Sequence, residues 1–368
     1  MQWQGVFRMR VTNVSITVVD VPQVWPIAPY RSHIRTSSSS SSAIVRIDTD
    51  EGLVGWGEHN VNFLPGVSAR AMTATAREWL TGKDPTNIAA FHRDCRFETR
   101  LNSGVEMALW DIKAQAAGVP LAMLLGGIVR TEVELAACMG IQPYEQAGEI
   151  ARHYVEQGYS TLKTKAGSSA EEDLAMIRGI RDAVGDRLKV RMDPNRAYSL
   201  DEAVRLATAL EEFDLEYWEQ PIPAEPLNDA RRLREATRVP IALNESVTDP
   251  ASVLAILKAD AAAFILPDTP QAGGLWPCVE IGLLCAAAGL PCIMHCGHDM
   301  GPKTAAMVHV AAAVPSYTLA NDSTYYGLVE DVCETPLPIR NGRIAVPTTP
   351  GLGVRGDAEK LAKYRRDC

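Results

Sequence analysis

Four things are missing from this 368-residue sequence, and each absence removes a class of role. There is no excess of positive charge: Lys and Arg total 36 against 45 Asp and Glu, a formal charge of −9. Such a balance repels phosphate backbones and anionic lipid, so a nucleic-acid or membrane-surface role is not expected. There is no long hydrophobic run. The longest uncharged apolar stretch, Ile281 to Met294, has 14 residues interrupted by Gly282, Gly289 and Pro291, short of the roughly 20 that span a bilayer. The opening MQWQGVFRMR has no apolar core region or small-residue cleavage site, so it does not read as a secretory signal and a cytoplasmic location is expected. Finally, the eight cysteines, at 95, 138, 278, 285, 292, 296, 333 and 368, form no CxxC pair. Most lie in apolar runs, which suits reduced core thiols better than disulfides or a zinc site.

What is present is a chain with 46% hydrophobic residues, long enough at roughly 150 residues per domain for about two domains. Residues 10 to 20 alternate apolar and polar like a strand, and Ala43–Asp48 with Leu53–Glu58 read as a hairpin turned at Asp50-Glu51-Gly52. The run Ser37 to Ser42 follows Pro22, Pro26 and Pro29, and residues 22–42 are expected to form a mobile loop. Helical periodicity follows at Val105, Leu109, Ile112 and Ala116, ending at Gly118-Val119-Pro120. An α+β unit over 1–126 is therefore expected. From Val133 onward, short β-branched runs alternate with amphipathic helices. Eight candidate strands end near Met139, Lys165, Asp193, Glu219, Glu245, Asp268, His295 and Asn321, at intervals of 26, 28, 26, 26, 23, 27 and 26 residues. That regularity favours a (β/α)8 barrel over 127–330 rather than an open sheet. The proline-rich segment 331–368 cannot be another βα unit and is expected to return to the first domain.

In such a barrel the active site lies at the C-terminal strand ends, where this sequence places charged residues inside apolar runs. The second strand ends Leu162-Lys163-Thr164-Lys165, and alternation puts both lysines on one face. Facing inward, two ammonium groups would lower each other's pKa and leave one as a general base; facing outward, they would be a solvated strand end. Strands three, four and five end in Asp193, Glu219 and Glu245. With neighbouring strands about 4.8 Å apart, each close pair of anions would repel by about 3 kcal/mol at an effective dielectric of about 20. A cation is implied. All-oxygen ligation suits Mg2+, with Mn2+ as the alternative, and argues against zinc. Strands six and seven end in Asp268 and His295, neighbours that can form a carboxylate–imidazole dyad. A Schiff-base aldolase would also place a lysine here, but the three carboxylates argue against it.

Taken together, KTK at 163–165, Asp193-Pro194-Asn195, Trp218-Glu219-Gln220-Pro221, Asn244-Glu245, PDTPQAGG from Pro267, and His295 resemble the enolase superfamily, within it the mandelate racemase subgroup. Ala108-Leu109-Trp110-Asp111-Ile112-Lys113, Leu124 to Gly127, and Pro350-Gly351-Leu352-Gly353 extend the resemblance across nearly the whole chain. It implies an α/β fold, a (β/α)8 TIM-type barrel with an N-terminal α+β capping domain. It further implies that Asp193, Glu219 and Glu245 hold Mg2+, which binds a carboxylate substrate and stabilises the enediolate left when the α-proton is removed. By the same carry-over Lys165 is a base on one face, His295 with Asp268 the acid or base on the other, and Lys163 neutralises the bound carboxylate. Tyr30, Arg31 and His33 fall in what resembles the family's specificity loop. Asn195, His298, Asn321 and Asp322 are further candidate substrate contacts, and an assembly of identical subunits is expected. Two departures stand out. Asn321-Asp322 occupies the place of the family's strand-eight Glu, and the longer loop CGHDMGP after His295 adds His298. A muconate-cycloisomerase-like member would carry Lys where Asp268 stands. The expected reaction is dehydration of a sugar acid to a 2-keto-3-deoxy acid, with a racemase, epimerase or cycloisomerase as the alternative.

Overall fold

The computed structural model describes residues 9–61, 68–95, 97 and 99–366; the first eight residues, read above for a leader, and Cys368 lie outside them. The chain opens as an antiparallel sheet of β1 (Val11–Pro22), β2 (Ser39–Thr49) and β3 (Val54–Asn60), in that order. Helices α1 (Ala69–Leu80), α2 (Ile88–Asp94) and α3 (Thr99–Ala116) follow. Helix α3 lies so close to β3 that a Cβ at Gly55 or Gly57 would overlap the backbone oxygen of Ala108 or Gly104.

The serine run corrects the expected loop. Ser39 to Ser42 are the first residues of β2, paired with Pro22 to Val19 of β1. Their hydroxyls find partners inside the fold: Ser42 Oγ donates to Glu58 at 2.7 Å and Ser41 Oγ to Asp20 at 2.7 Å. A serine run therefore sits in a sheet without leaving its hydroxyls unsatisfied. What remains of the loop folds into a small hairpin, Tyr30–Arg31 against Thr36–Ser37.

The barrel runs through β4 (Glu132–Met139), α4 (Tyr144–Glu156), β5 (Thr161–Lys165), α5 (Ala170–Val184), β6 (Lys189–Asp193), α6 (Leu200–Leu210) and β7 (Tyr217–Glu219). It continues through α7 (Leu227–Ala236), β8 (Ile241–Leu243), α8 (Pro250–Ala259), β9 (Phe264–Ile265), α9 (Leu275–Ala288), α10 (Gly301–Ala313) and β10 (Asn321–Asp322). Local signals start the helices. Ser199 with Glu202 forms a capping box on α6, and Asp249 with Ser252 forms another on α8 ahead of Pro250. The strands β4 to β9 pair in parallel in chain order. The seventh strand position is an extended segment, Cys292 to His295, whose Ile293 and His295 amides donate to Ile265 and Pro267 and whose Met294 carbonyl accepts from Asp322. Strand β10 pairs with Leu135 and Ala136 of β4, closing the ring. After it comes a single 3-10 turn, Tyr325–Gly327, where another barrel helix would stand.

The closing segment touches both units. Its hairpin β11 (Ile339–Arg340) and β12 (Arg343–Ala345) adds antiparallel to β4. Farther on, Gly351 accepts from Leu121 and Arg366 donates to Val18 of β1. Among the described residues no helix is long and apolar enough to cross a membrane.

His309 on α10 fastens this junction. Its Nδ1 accepts from the Ala122 amide at 3.3 Å and its Nε2 faces the Leu352 carbonyl at 3.1 Å, so the ring is fixed as a neutral tautomer with both nitrogens occupied. Burial lowers its pKa to about 4, against about 6.5 for an unfolded histidine. The unfolded chain binds a proton in that interval and the folded one does not. Stability is thus expected to fall as pH drops from about 6.5 toward 4, by roughly 3 kcal/mol. Urea midpoints at pH 7.5 and 5.0 should show a smaller decline for His309→Gln than for the parent chain; equal declines would refute the assignment.

Candidate active site

The C-terminal strand ends open into a cavity of about 380 Å³ beneath the hairpin of the cap. Alternation in β5 turns Lys163 and Lys165 to the same interior face, as it turns Arg191 and Asp193 in β6. Lys163 Nζ lies 2.7 Å from Glu219, 2.9 Å from Asp322 and 3.4 Å from Asp193. Lys165 Nζ lies 2.5 Å from Asp193 Oδ2 and donates to Asn195 Oδ1 at 2.8 Å. Mutual depression of the two lysines does not hold for Lys163. Burial would lower its pKa, but Asp322, Glu219 and Asp193 raise it well above the ordinary lysine value. It is a locked ammonium because each neighbouring positive charge is outnumbered by carboxylates.

Burial would raise Asp193, yet Lys165 and Lys163 beside it hold it well below the usual carboxylate range. Glu219 goes the other way: burial, reinforced by Asp193, pushes it up to about 7. Neither Glu219 oxygen accepts a well-formed hydrogen bond, and Glu245 Oε2 is likewise buried without one. Glu219 Oε2 meets only the Lys163 ammonium, and Glu219 Oε1 and Glu245 Oε2 accept from no donor; buried carboxylate oxygens of this kind fit a hard divalent cation. Ligand atoms of Asp193, Glu219 and His295 all lie within 4.8 Å of one another. Glu245, the third carboxylate of the expected set, stands to one side. Its Oε1 accepts from Asn195 Nδ2 at 3.3 Å and pairs with Arg196 Nε at 3.2 Å, and burial raises its pKa. It sits two residues beyond the end of β8, off the ladder that fixes Asp193 and Glu219.

On the far side, His295 Nδ1 meets Asp268 Oδ2 at 3.2 Å, and its Nε2 lies 3.6 Å from Glu219 Oε1. Lys303 Nζ holds the other Asp268 oxygen at 2.7 Å and Asp299 at 2.8 Å. Burial would raise Asp268, but Lys303 and His295 bring it down to about 2.

The remaining candidates separate. Tyr30, Asn195 and His298 line the cavity, with the Tyr30 and His298 rings edge to face at 4.5 Å. Arg31 turns outward to Ser168 at 3.2 Å and Glu172 at 3.3 Å, because the start of α5 and the turn before it offer a carboxylate and a hydroxyl. His33 is exposed at the rim, whereas Arg35 lines the cavity. Asn321 is structural here: it accepts from the Met294 amide at 2.8 Å and donates to Leu319 at 3.3 Å, fastening adjacent strand segments. Asp322 is held between Lys163 and Arg191 Nη1, the latter at 3.1 Å.

Reading the sequence missed Arg191, Lys303 and Arg35. Arg191 was findable, since it shares the strand face of Asp193. Lys303 is the one charged residue of the buried helix GPKTAAMVHVAAA, a placement that demands an internal partner. Arg35 carried no signal that distinguished it from Arg31.

A cap over a parallel barrel with two lysines, a carboxylate group and a His–Asp dyad at its mouth defines a class of acid–base enzymes. Residues 15–126 match the mandelate racemase / muconate lactonizing enzyme N-terminal domain, and residues 146–360 match the enolase C-terminal domain-like family. The chain belongs to the mandelate racemase/muconate lactonizing enzyme family of the enolase superfamily. It is 30% identical to the L-Lys-D/L-Arg epimerase of Methylococcus capsulatus, covering 94% of this chain and 99% of that one. It is 31% identical to the D-galactonate dehydratase of Verminephrobacter eiseniae, covering 88% and 91%. The dipeptide epimerase of Enterococcus faecalis V583, solved with Mg and the dipeptide L-Leu-L-Tyr, superposes with a TM-score of 0.85 at 26% identity, covering 94% and 99%. Relatives across the family include epimerases, cycloisomerases and sugar-acid dehydratases, so kinship establishes the enzyme family and leaves the reaction to the site.

Proposed function

We propose that this enzyme removes the proton α to the carboxylate of a hydroxylated acid and expels the β-hydroxyl, yielding a 2-keto-3-deoxy acid. The observation that carries the reading is the flanking of Asp193 and Glu219 by Lys165 on one side and the His295–Asp268 dyad on the other. Asp193, Glu219 and Glu245 are the residues that would hold a divalent cation, Mg2+ in this reading, and its positive charge would offset the charge that builds on the substrate carboxylate as the α-proton leaves. Lys165 Nζ takes the proton. Lys163, fixed as an ammonium, attracts the carboxylate. His295 Nε2 delivers a proton to the departing hydroxyl, while Asp268 on Nδ1 orients the ring. Asn195 orients Lys165. The cavity wall mixes Ser32, Ser37, Asn60, Asn244 and Thr324 with Ile34, Cys138, Pro270 and Cys296, and the hydroxyl and amide groups among them can meet the hydroxyls of a sugar acid. The catalytic unit is taken as a cap over 1–126, a barrel over 127–330 and a closing segment over 331–368, acting as a homo-oligomer on a free small-molecule acid.

The same two bases can instead reprotonate or cyclise the intermediate. The opposite placement of Lys165 and His295 favours this second reading, as does likeness to the D-galactarolactone cycloisomerase of Agrobacterium fabrum, 28% identical over 92% of this chain. Incubating a library of sugar acids with enzyme and Mg2+ is expected to give keto acid from at least one member. Stereoisomer or lactone without keto acid would establish the second reading, and undiminished turnover in excess EDTA would overturn both.

A further inference from the structure

The dyad has a third member that no reading above uses. Lys303 is buried on α10, with its ammonium 2.7 Å from Asp268 Oδ1 and 2.8 Å from Asp299 Oδ1. Asp268 thus divides its carboxylate: one oxygen faces Lys303, and the other faces His295 Nδ1 at 3.2 Å. We infer that Lys303 is a positioning residue for His295, fixing the plane of Asp268 and so the tautomer and aim of the imidazole, while leaving the Lys165 face of the site untouched.

The geometry leaves Asp268 little freedom. Lys303 meets Asp268 Oδ1 as a close ion pair without a well-formed hydrogen bond, and contact at both oxygens restricts rotation about Cβ–Cγ, so that the other oxygen faces the imidazole as its acceptor. That acceptor requires Nδ1–H on His295, which leaves Nε2, the nitrogen turned toward Glu219, as the atom that takes up or gives up a proton. Lys303 is itself anchored. Its backbone amide donates to Glu58 Oε2 at 3.0 Å, beside the Met300 amide on Glu58 Oε1 at 2.8 Å and the hydroxyl of Ser42. Asp299 is steadied by the Gly297 amide at 3.0 Å. A carboxylate of the cap strand β3 therefore grips the start of α10 and sets where Lys303 stands. Lys165 shares none of these contacts, being held by Asp193 and Asn195. The asymmetry is the signature: a residue supporting only one base should affect only one face.

This inference rests on the two-base reading, and the test separates the two. In deuterium oxide with Mg2+, α-proton exchange of a sugar acid that the parent enzyme exchanges is scored for each stereoisomer. Lys303→Met is expected to slow exchange at the His295 face by roughly 10- to 100-fold and to leave the Lys165 face within about threefold. Because Lys303→Met strands two buried carboxylates, Lys303→Met with Asp299→Asn is measured beside it, restoring charge balance. Equal losses at both faces, or none, in the double variant would overturn the positioning role. Nitrogen-15 shifts of the His295 ring, recorded at a pH where the ring is neutral, supply a readout that needs no substrate: a proton confined to Nδ1 in the parent and a tautomer mixture in the variants are expected. Unchanged shifts would overturn the inference. A parent enzyme that exchanges no acid yet shows the tautomer change would instead overturn the two-base reading and sustain the role of Lys303.

Discussion

Lys165→Ala and His295→Asn are each expected to cut keto-acid formation by roughly 10²- to 10⁴-fold, the usual weight of one general acid or base, while failing in different ways. Lys165 contacts Asp193 and Asn195 on one side of the carboxylate group, and His295 contacts Asp268 and Glu219 on the other. If Lys165 takes the α-proton, its loss removes both exchange and elimination. If His295 then expels the hydroxyl, its loss blocks elimination but spares exchange, because the proton still leaves and returns from the Lys165 face. Proton NMR of a sugar acid in deuterium oxide separates the two by scoring wash-in of deuterium and appearance of keto acid independently. Exchange and product persisting in both variants would refute the two-base assignment. Stereoisomer formation in the parent enzyme without loss of water would move the assignment from lyase to isomerase.

What could be read in advance was what periodicity carries. The barrel was legible because βα units recur at 23- to 28-residue intervals, and the first four strands end at the residues so inferred, Met139, Lys165, Asp193 and Glu219. The later strands are shorter than their apolar runs imply: β8 stops at Leu243 and β9 at Ile265. Glu245 and Asp268 therefore ride on the loops beyond, where local turns and ion pairs decide their positions, while His295 ends the extended seventh segment with its amide on Pro267. That is why Glu245 leans on Arg196 instead of standing in line with Asp193 and Glu219. Spacing also reports which residues share a face but not which partner each will choose. Asp322 looked like a substrate contact; Lys163 and Arg191 claim it, because two buried cations on neighbouring strands need a buried anion. Arg31 and Arg35 are indistinguishable in sequence, and only the hairpin geometry turns one to α5 and the other to the cavity. Ser39 to Ser42 misled for a related reason: composition suggests a loop, whereas hydroxyl partners on Asp20 and Glu58 make the segment a strand.

Glu219→Gln is expected to separate folding from metal binding. The Glu219 carboxylate is buried in the barrel without a well-formed hydrogen bond, and its pKa is pushed to about 7 from an ordinary 4.5 by burial and by Asp193. A carboxylate whose folded pKa is raised costs stability where the unfolded chain is ionised, so above pH 7 the metal-free fold carries a penalty on the order of 3 kcal/mol. Gln keeps the shape and discards the charge. Without metal at pH 8 the variant should therefore melt no lower than the parent chain. Saturating Mg2+ should reverse the order. At a free concentration 100 times its dissociation constant, a ligand bound only by the folded state adds about 2.7 kcal/mol, and the parent chain should gain that much while the variant gains little. Turnover should vanish in the variant, since one of the charges holding the cation is gone. Calorimetric titration with Mg2+, together with thermal melts with and without it, measures each part. Unchanged Mg2+ affinity in Glu219→Gln would remove this residue from the metal site. A metal-free variant melting far below the parent would mean that Glu219 is structural, its charge required by Lys163 and not by a cation.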